Sequence, residues 1–280
     1  MNEVLIAGAI MFGLAGFFGV VLAVANRYLR VEEDPRIDVI EGMLPGTNCG
    51  ACGQPGCRGF AESLVGGASS PGQCTVSTAD AVQEIASFLG VDAGFREKRV
   101  ARLHCAGGKS AVKGLADYRG MTSCRAAAVV NGGGRACPWG CLGLADCERA
   151  CGFHAIRMND EGLPVVDPER CTACGDCVEI CPLNLFTLEF VSHRVIVQCS
   201  SPLTGEEAHA ACRVACDACG RCALDAPAGV IEMAGGLPRL REPARAPEAC
   251  TYRCPTGAIR WVEGGQFERR LYNIEGVSHG

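Results

Sequence analysis

The sequence predicts an α+β chain in which one N-terminal membrane helix precedes a series of small modules built on cysteine. Three observations carry that prediction. Residues 4–25 form an uncharged apolar run, the 280 residues include 21 cysteines, and those cysteines fall in tight groups. Such a length suggests roughly two domains. Cysteine at this density means disulfides or metal. Disulfides belong to small secreted scaffolds, whereas C-x2-C pairs are too close to bridge each other comfortably and suit metal. A reducing compartment follows for the soluble part. A net charge of −5 and the lack of a basic stripe argue against nucleic acid as a partner. Aromatic residues make up only 6% of the chain, so bound metal has to supply much of the folding energy.

The apolar run reads VLIAGAIMFGLAGFFGVVLAVA. Its length is enough to cross a hydrocarbon layer of ~30 Å. A signal peptide is one alternative, since Ala23-Val24-Ala25 resembles a cleavage site, but Glu3 is the only charge before the run and a basic leader is missing. A buried core helix, the other alternative, is usually shorter. Arg27 and Arg30 follow the run, and no Lys or Arg precedes it. The positive-inside rule then places the N-terminus outside and the rest in the cytoplasm, with a single pass through the cell inner membrane. Ala15, Gly19 and Ala23 form a small-residue ridge suited to a neighbouring helix. One span makes no ion pathway, so any transport requires partner subunits.

After this anchor (residues 1–30) and an acidic hinge with a proline at 31–35, the first cysteine group is Cys49, Cys52, Cys57 and Cys74, spaced C-x2-C-x4-C-x16-C. Flanking glycines let the backbone bend round a cluster and aim N–H groups at sulfur. Residues 58–65 and 79–89 have helical apolar spacing. Together these define a four-cysteine iron–sulfur domain at 31–95. Zinc is the alternative for such a ligand set.

Residues 96–135, rich in glycine and alanine, read as a connector with helix near 110–118, and they carry Cys105 and Cys124. The most specific motif follows. Cys171-Thr172-Ala173-Cys174-Gly175-Asp176-Cys177-Val178-Glu179-Ile180-Cys181-Pro182 is a full C-x2-C-x2-C-x3-C-P run. This is the bacterial ferredoxin spacing, in which three thiolates on one loop hold three corners of a cubane and the fourth cysteine serves the other cluster. A looser group, Cys137-x3-Cys141-x5-Cys147-x3-Cys151, precedes it, and β-like stretches at 155–158 and 185–188 follow the two groups. This internal repeat predicts a two-cluster ferredoxin-like module at 136–200. Swapping of the fourth ligands assigns Cys137, Cys141, Cys147 and Cys181 to one cubane, and Cys171, Cys174, Cys177 and Cys151 to the other. Gly152 replaces the expected proline after Cys151.

Residues 201–263 read as a second, degenerate ferredoxin-like module, with a tail at 264–280. Cys216, Cys219 and Cys222 open a third cluster loop, but Ala226 stands where its fourth cysteine belongs. Cys254-Pro255 keeps a closing pair that no cluster loop precedes. The two losses match: one cluster on Cys216, Cys219, Cys222 and Cys254 explains both. Four [4Fe-4S] clusters are therefore expected. Of the five cysteines left over, Cys105, Cys124, Cys199 and Cys212 flank the middle module and are candidate ligands for a fifth cluster; Cys250 reads as a small buried hydrophobe. His104 and His193 are candidates for tuning or ligating a cluster, while His154, His209 and His279 read as surface residues. Gly132-Gly133-Gly134 lacks a Rossmann context, so no flavin site, nucleotide site or catalytic side chain is expected.

Taken in this order, the parts resemble the B subunit of the Rnf electron-transport complex. The likeness rests on the 4–25 helix, the run from Asn48-Cys49-Gly50-Ala51-Cys52 to Cys57 with Cys74, the stretch Cys137-Pro138-Trp139-Gly140-Cys141 to Cys147, and the 171–182 run. It implies an electron-relay subunit that takes electrons from soluble ferredoxin toward membrane and flavin subunits. It also implies that the complex acts as a ferredoxin:NAD oxidoreductase coupled to Na+ or H+ movement. The alternatives are an iron–sulfur relay of another membrane oxidoreductase, hydrogenase-like or heterodisulfide-reductase-like, and a zinc-rich structural protein.

Overall fold

A computed structural model describes residues 2–29, 34–94 and 97–267. Arg30, the hinge residues 31–33, His279 and the tail beyond residue 267 lie outside the described residues.

Helix α1 (Asn2–Leu29) contains the expected span, and its Leu5–Tyr28 segment is long and apolar enough to cross a membrane. None of that window is buried against protein, and Phe12 is 83% exposed. A core helix would bury one face, so the core-helix alternative falls.

The next unit is helical. Helix α2 (Pro35–Met43) starts with Asp34, whose side chain accepts from the Arg36 N–H at 2.9 Å, and with proline at the first helical position. Helix α3 (Cys57–Val65) packs on it through Ile37, Ile40, Leu44, Phe60, Ala61 and Leu64. Helix α4 (Ala79–Leu89) adds Ile85, is capped by Thr78 and ends on Gly90 in the left-handed region. Arg58 ties α3 to α2 through Glu41 at 2.8 Å and Asp38 at 3.2 Å.

The remainder consists of short helices and four two-stranded antiparallel sheets. Strand β1 (Arg99–Leu103) comes from the segment expected to be a connector; residues 110–118 hold no helix, and helix α5 (Cys124–Val129) forms further on. Helix α6 (Asp146–Ala150) leads to the hairpin of β2 (Ile156–Met158) and β3 (Pro164–Val166). Helix α7 (Asp176–Ile180) leads to β4 (Phe186–Phe190), which pairs with β1, Arg102 opposite Thr187. Strand β5 (Val195–Val197) pairs with β8 (Ile259–Trp261) at the far end of the chain. Between them lie α8 (Gly205–Ala211), α9 (Arg221–Asp225) and the hairpin of β6 (Ile231–Ala234) with β7 (Leu237–Leu240), then α10 (Ala249–Tyr252). Gly235 and Gly236 both take positive φ, as a two-residue primed hairpin turn requires.

The two ferredoxin-like modules are thus laced together: β1 and β8 each complete a sheet begun in the middle module. Residues 264–267, expected to belong to a tail, are part of the fold. Gln266 is buried, accepts from the Leu103 N–H at 2.8 Å and donates to the Leu103 carbonyl at 3.0 Å. The main core holds Cys105, Cys141, Cys147, Cys151 and Cys177 beside Leu103, Ile156, Leu163, Leu185 and Phe186.

Candidate metal centres

Backbone conformation identifies the equivalent positions of three cluster loops. In the full run, Ala173 and Gly175 have φ of 56° and 98°. Ala218 and Gly220 repeat this at 62° and 71°, and Gly143 and Ala145 at 72° and 64°. Each pair leads into a five-residue helix, α7, α9 or α6, that carries the third cysteine. Cys141 therefore corresponds to Cys171 and Cys147 to Cys177, and Leu144 occupies the place of Cys174. The interval Cys141-x5-Cys147 is a C-x2-C-x2-C loop without its middle cysteine. Closing positions agree as well. Three residues after Cys151, Cys181 and Cys254 come His154, Asn184 and Gly257, all with positive φ, and Gly229 stands three residues after Ala226.

Four cavities are each lined by four cysteines. Cys151, Cys171, Cys174 and Cys177 surround one. Cys216, Cys219, Cys222 and Cys254 surround another. The other two depart from expectation. Cys124, not Cys137, joins Cys141, Cys147 and Cys181. Cys137, not Cys124, joins Cys105, Cys199 and Cys212.

The exchange has a local cause. Asp146, on α6 next to Cys147, accepts from Ser123 Oγ at 3.0 Å and from the Arg125 N–H at 3.3 Å. One carboxylate thus grips both neighbours of Cys124 and sets its thiol in the cavity with Cys141, Cys147 and Cys181. Cys137 is held elsewhere by short antiparallel pairings. Gly114 bridges Arg135, and Val112 bridges Cys212. The Ala106 N–H donates to Gln198 O at 2.9 Å, and Ser200 Oγ donates to His104 O at 2.9 Å. These contacts bring Cys105, Cys137, Cys199 and Cys212 together from four segments. A Cβ at Gly107 would lie 3.2 Å from Cys212 Sγ and 3.5 Å from Cys105 Sγ, so glycine keeps that approach open.

In the helical unit, Cys52, Cys57 and Cys74 pack against the α2–α3–α4 core. Cys49 and Cys74 act electrostatically on Cys52, whose thiol pKa is pushed up chiefly by burial. Asn48, at φ 49°, accepts from the Cys57 N–H at 2.8 Å and sets the loop.

The donor sets fit a four-iron core. Among the described residues no three His, Cys, Asp or Glu side chains converge as a single metal ion needs; in four groups the thiols ring a cavity instead. Backbone N–H groups point at sulfur: Cys141 and Gly107 at Cys105 Sγ (3.2 and 3.4 Å), Ala155 at Cys151 Sγ (3.3 Å) and Leu185 at Cys181 Sγ (3.4 Å). The hydroxyls of Thr172, beside Cys171, and of Thr75, beside Cys74, are buried without a protein partner. Burial pushes the thiols of Cys105, Cys141, Cys147 and Cys177 up to about 12, and those of Cys216 and Cys222 up to about 11. Only a bound cationic core makes such thiols shed their protons at neutral pH. Cys250 is different: it is fully buried and donates to Pro247 O at 2.9 Å, as an ordinary core thiol does.

Neither candidate histidine lies among the thiols lining these cavities. His104 Nδ1 donates to Val197 O at 2.7 Å and its Nε2 lies 2.7 Å from Thr187 Oγ1, while His193 Nδ1 faces Glu189 at 3.1 Å.

Comparison with known proteins agrees with this arrangement. A family model for an Fe-S cluster domain matches residues 44–76, and one for a 4Fe-4S binding domain matches residues 164–187. The B subunit of the ion-translocating oxidoreductase complex of Methanosarcina acetivorans is 35% identical over 92% of this chain and 99% of its own length. The B subunit of the proton-translocating ferredoxin:NAD(+) oxidoreductase complex of Clostridium ljungdahlii is 37% identical over 95% of each chain. The chain belongs to the family of B subunits of ion-translocating oxidoreductase complexes. A further member, the B subunit of the Na(+)-translocating ferredoxin:NAD(+) oxidoreductase complex of Acetobacterium woodii, is 40% identical over 77% of this chain, and the match spans 65% of that relative's length. This chain is accordingly an iron–sulfur electron-transfer component of a multi-subunit oxidoreductase, and its apolar α1 fits association with a membrane.

Proposed function

We propose that the chain holds five [4Fe-4S] clusters and relays electrons from reduced soluble ferredoxin toward membrane and flavin subunits of the complex. The complex couples this flow to Na+ or H+ translocation. The observation that carries the reading is the set of four cavities, each ringed by four cysteines, beside the separate Cys49–Cys74 group. Cys49, Cys52, Cys57 and Cys74 hold the cluster nearest the anchor in sequence. Cys124, Cys141, Cys147 and Cys181 hold the second, and Cys151, Cys171, Cys174 and Cys177 the third. Cys216, Cys219, Cys222 and Cys254 hold the fourth, and Cys105, Cys137, Cys199 and Cys212 the fifth. Bound clusters of this kind supply one-electron exchange, at potentials set by burial and by hydrogen bonds to sulfur. The chain's own contribution is to exclude water with the Leu103, Leu185 and Phe186 core, to aim N–H groups at sulfur, and to anchor the array through α1. The N-terminus lies outside the inner membrane and the cysteine modules lie in the cytoplasm.

Two measurements test this reading. Fully loaded protein is expected to contain about twenty irons per chain, where four clusters would give about sixteen. Changing Cys49 and Cys52 together to serine is expected to abolish membrane-linked turnover of the assembled complex, while ferredoxin still reduces the later centres. Loss of both activities would refute the proposed order of transfer.

A further inference from the structure

Thr172 follows Cys171, the first cysteine of the full run, and lines the cavity that Cys151, Cys171, Cys174 and Cys177 surround. Its hydroxyl oxygen is buried and has no hydrogen-bond partner in the protein. Around it the lining is mostly apolar, with Phe153, Ile156 and Leu188. Asp176, the one carboxylate of that lining, is exposed and makes no bond to the hydroxyl. A hydroxyl can both donate and accept, and burying one with neither role filled is costly. The missing acceptor therefore has to be what the cavity holds.

The two equivalent loops bring no such donor. Cys141 and Cys216 correspond to Cys171, so Leu142 and Asp217 stand where Thr172 does, and each lines its own cysteine cavity. The position after the first cysteine thus borders the metal site in all three loops. Leu142 has no polar side-chain atom, and Asp217 accepts from the Cys219 N–H at 3.1 Å. Sulfur on a four-iron core is an acceptor that grows more negative with each added electron. A hydrogen bond strengthens as its acceptor gains charge, so a donor to sulfur favours the reduced state.

We propose that the Thr172 hydroxyl donates a hydrogen bond to sulfur of the centre on Cys151, Cys171, Cys174 and Cys177 and raises its reduction potential. The inference rests on the cluster assignment above. One electron from ferredoxin enters the centre, the proton stays on Oγ1, and no covalent bond changes. Within the middle module, Thr172 thereby favours this centre over the one beside Leu142 as the resting place of an electron.

The test is an anaerobic redox titration followed by EPR on the full chain. Iron content is measured first, and the signal of this centre is assigned by its loss in Cys174→Ser. Thr172→Val keeps the side-chain shape and removes the hydroxyl. Its midpoint is expected to fall, so that at the wild-type midpoint the reduced-to-oxidised ratio drops about threefold, equivalent to ~28 mV at 59 mV per tenfold change. Thr172→Ser keeps the hydroxyl, loses the methyl and is expected to hold the wild-type midpoint. The Cys216–Cys254 centre is expected to stay in place in both. An unchanged midpoint in Thr172→Val at full iron overturns the proposal. An equal fall in Thr172→Ser also overturns it, because packing and not the hydroxyl would then govern the site. If Thr172→Val does not load iron, Leu142→Thr decides. A hydroxyl there is expected to raise the midpoint of the signal lost in Cys181→Ser, and no movement overturns the proposal. Iron-free wild-type protein would instead refute the cluster assignment itself.

Discussion

Stripped of iron by an anaerobic chelator, the region from residue 97 onward is expected to unfold, while α1 stays helical in detergent. The reason lies in how little else holds that region. Its sheets have two strands each, and isolated two-stranded hairpins are marginal in water. Its helices α6, α7 and α9 have five residues each, far below the length at which a helix persists alone. The main core includes five of the cluster-lining cysteines, so losing the metal opens voids at its centre. Apparent binding energies of structural metal in small thiolate sites run to ~10–16 kcal/mol in zinc peptides. Whole-domain stability is only ~5–15 kcal/mol, so loss of even one cluster removes an energy comparable to the whole margin. Hydrogen exchange at the β1–β4 pairing is the direct readout, with protection lost on chelation and restored by iron and sulfide. Persistent protection at Val100 and Leu188 in iron-free protein would show that apolar packing alone holds the fold.

The exchange of Cys124 and Cys137 makes the second large prediction. Cys124→Ser and Cys181→Ser are expected to remove the same EPR signal and about four irons, whereas Cys137→Ser removes the signal lost in Cys105→Ser and Cys212→Ser. Asp146→Ala, which frees both neighbours of Cys124, is expected to weaken the first signal and leave the second. Leu144→Cys restores the missing corner within the loop, so the double variant Cys124→Ser/Leu144→Cys regains the lost centre. If Cys137→Ser instead removes the signal shared with Cys181→Ser, the partition is wrong. Restoration by Leu144→Cys is the sharper arm, because a merely destabilised protein would gain nothing from a cysteine at that position.

Much of the candidate site was readable from spacing. Cys171, Cys174 and Cys177 sit on one loop, and a tight loop has few ways to present three thiols. The matching gaps at Ala226 and before Cys254 likewise point to a module that keeps one cluster loop, and φ at Gly229 and Gly257 shows the shared turn. Nor was the missing cysteine at Leu144 hidden, since C-x5-C is the full loop with its middle ligand gone. The replacement ligand was not readable in this way. Cys137 is nearer in the chain than Cys124, and nearness suggested Cys137, whereas the cavity is lined by Cys124. What decides it is a carboxylate on α6 gripping residues 123 and 125. Residues 96–135 looked like a connector because glycine and alanine give weak periodicity, yet β1 pairs along its whole length with β4. The burial of Arg102 gave no signal in sequence; a single arginine in a short strand looks like a surface residue until the segment at 264–267 covers it.

The amino-acid order by itself determined the apolar anchor, the cysteine modules and the three-thiol loops, because each is a matter of local backbone reach and side-chain chemistry. Only the tertiary structure decided which distant thiol closes each cavity. Those partners are brought in by strand pairings and single hydrogen bonds between segments far apart in the chain, and sequence separation carries no measure of that distance.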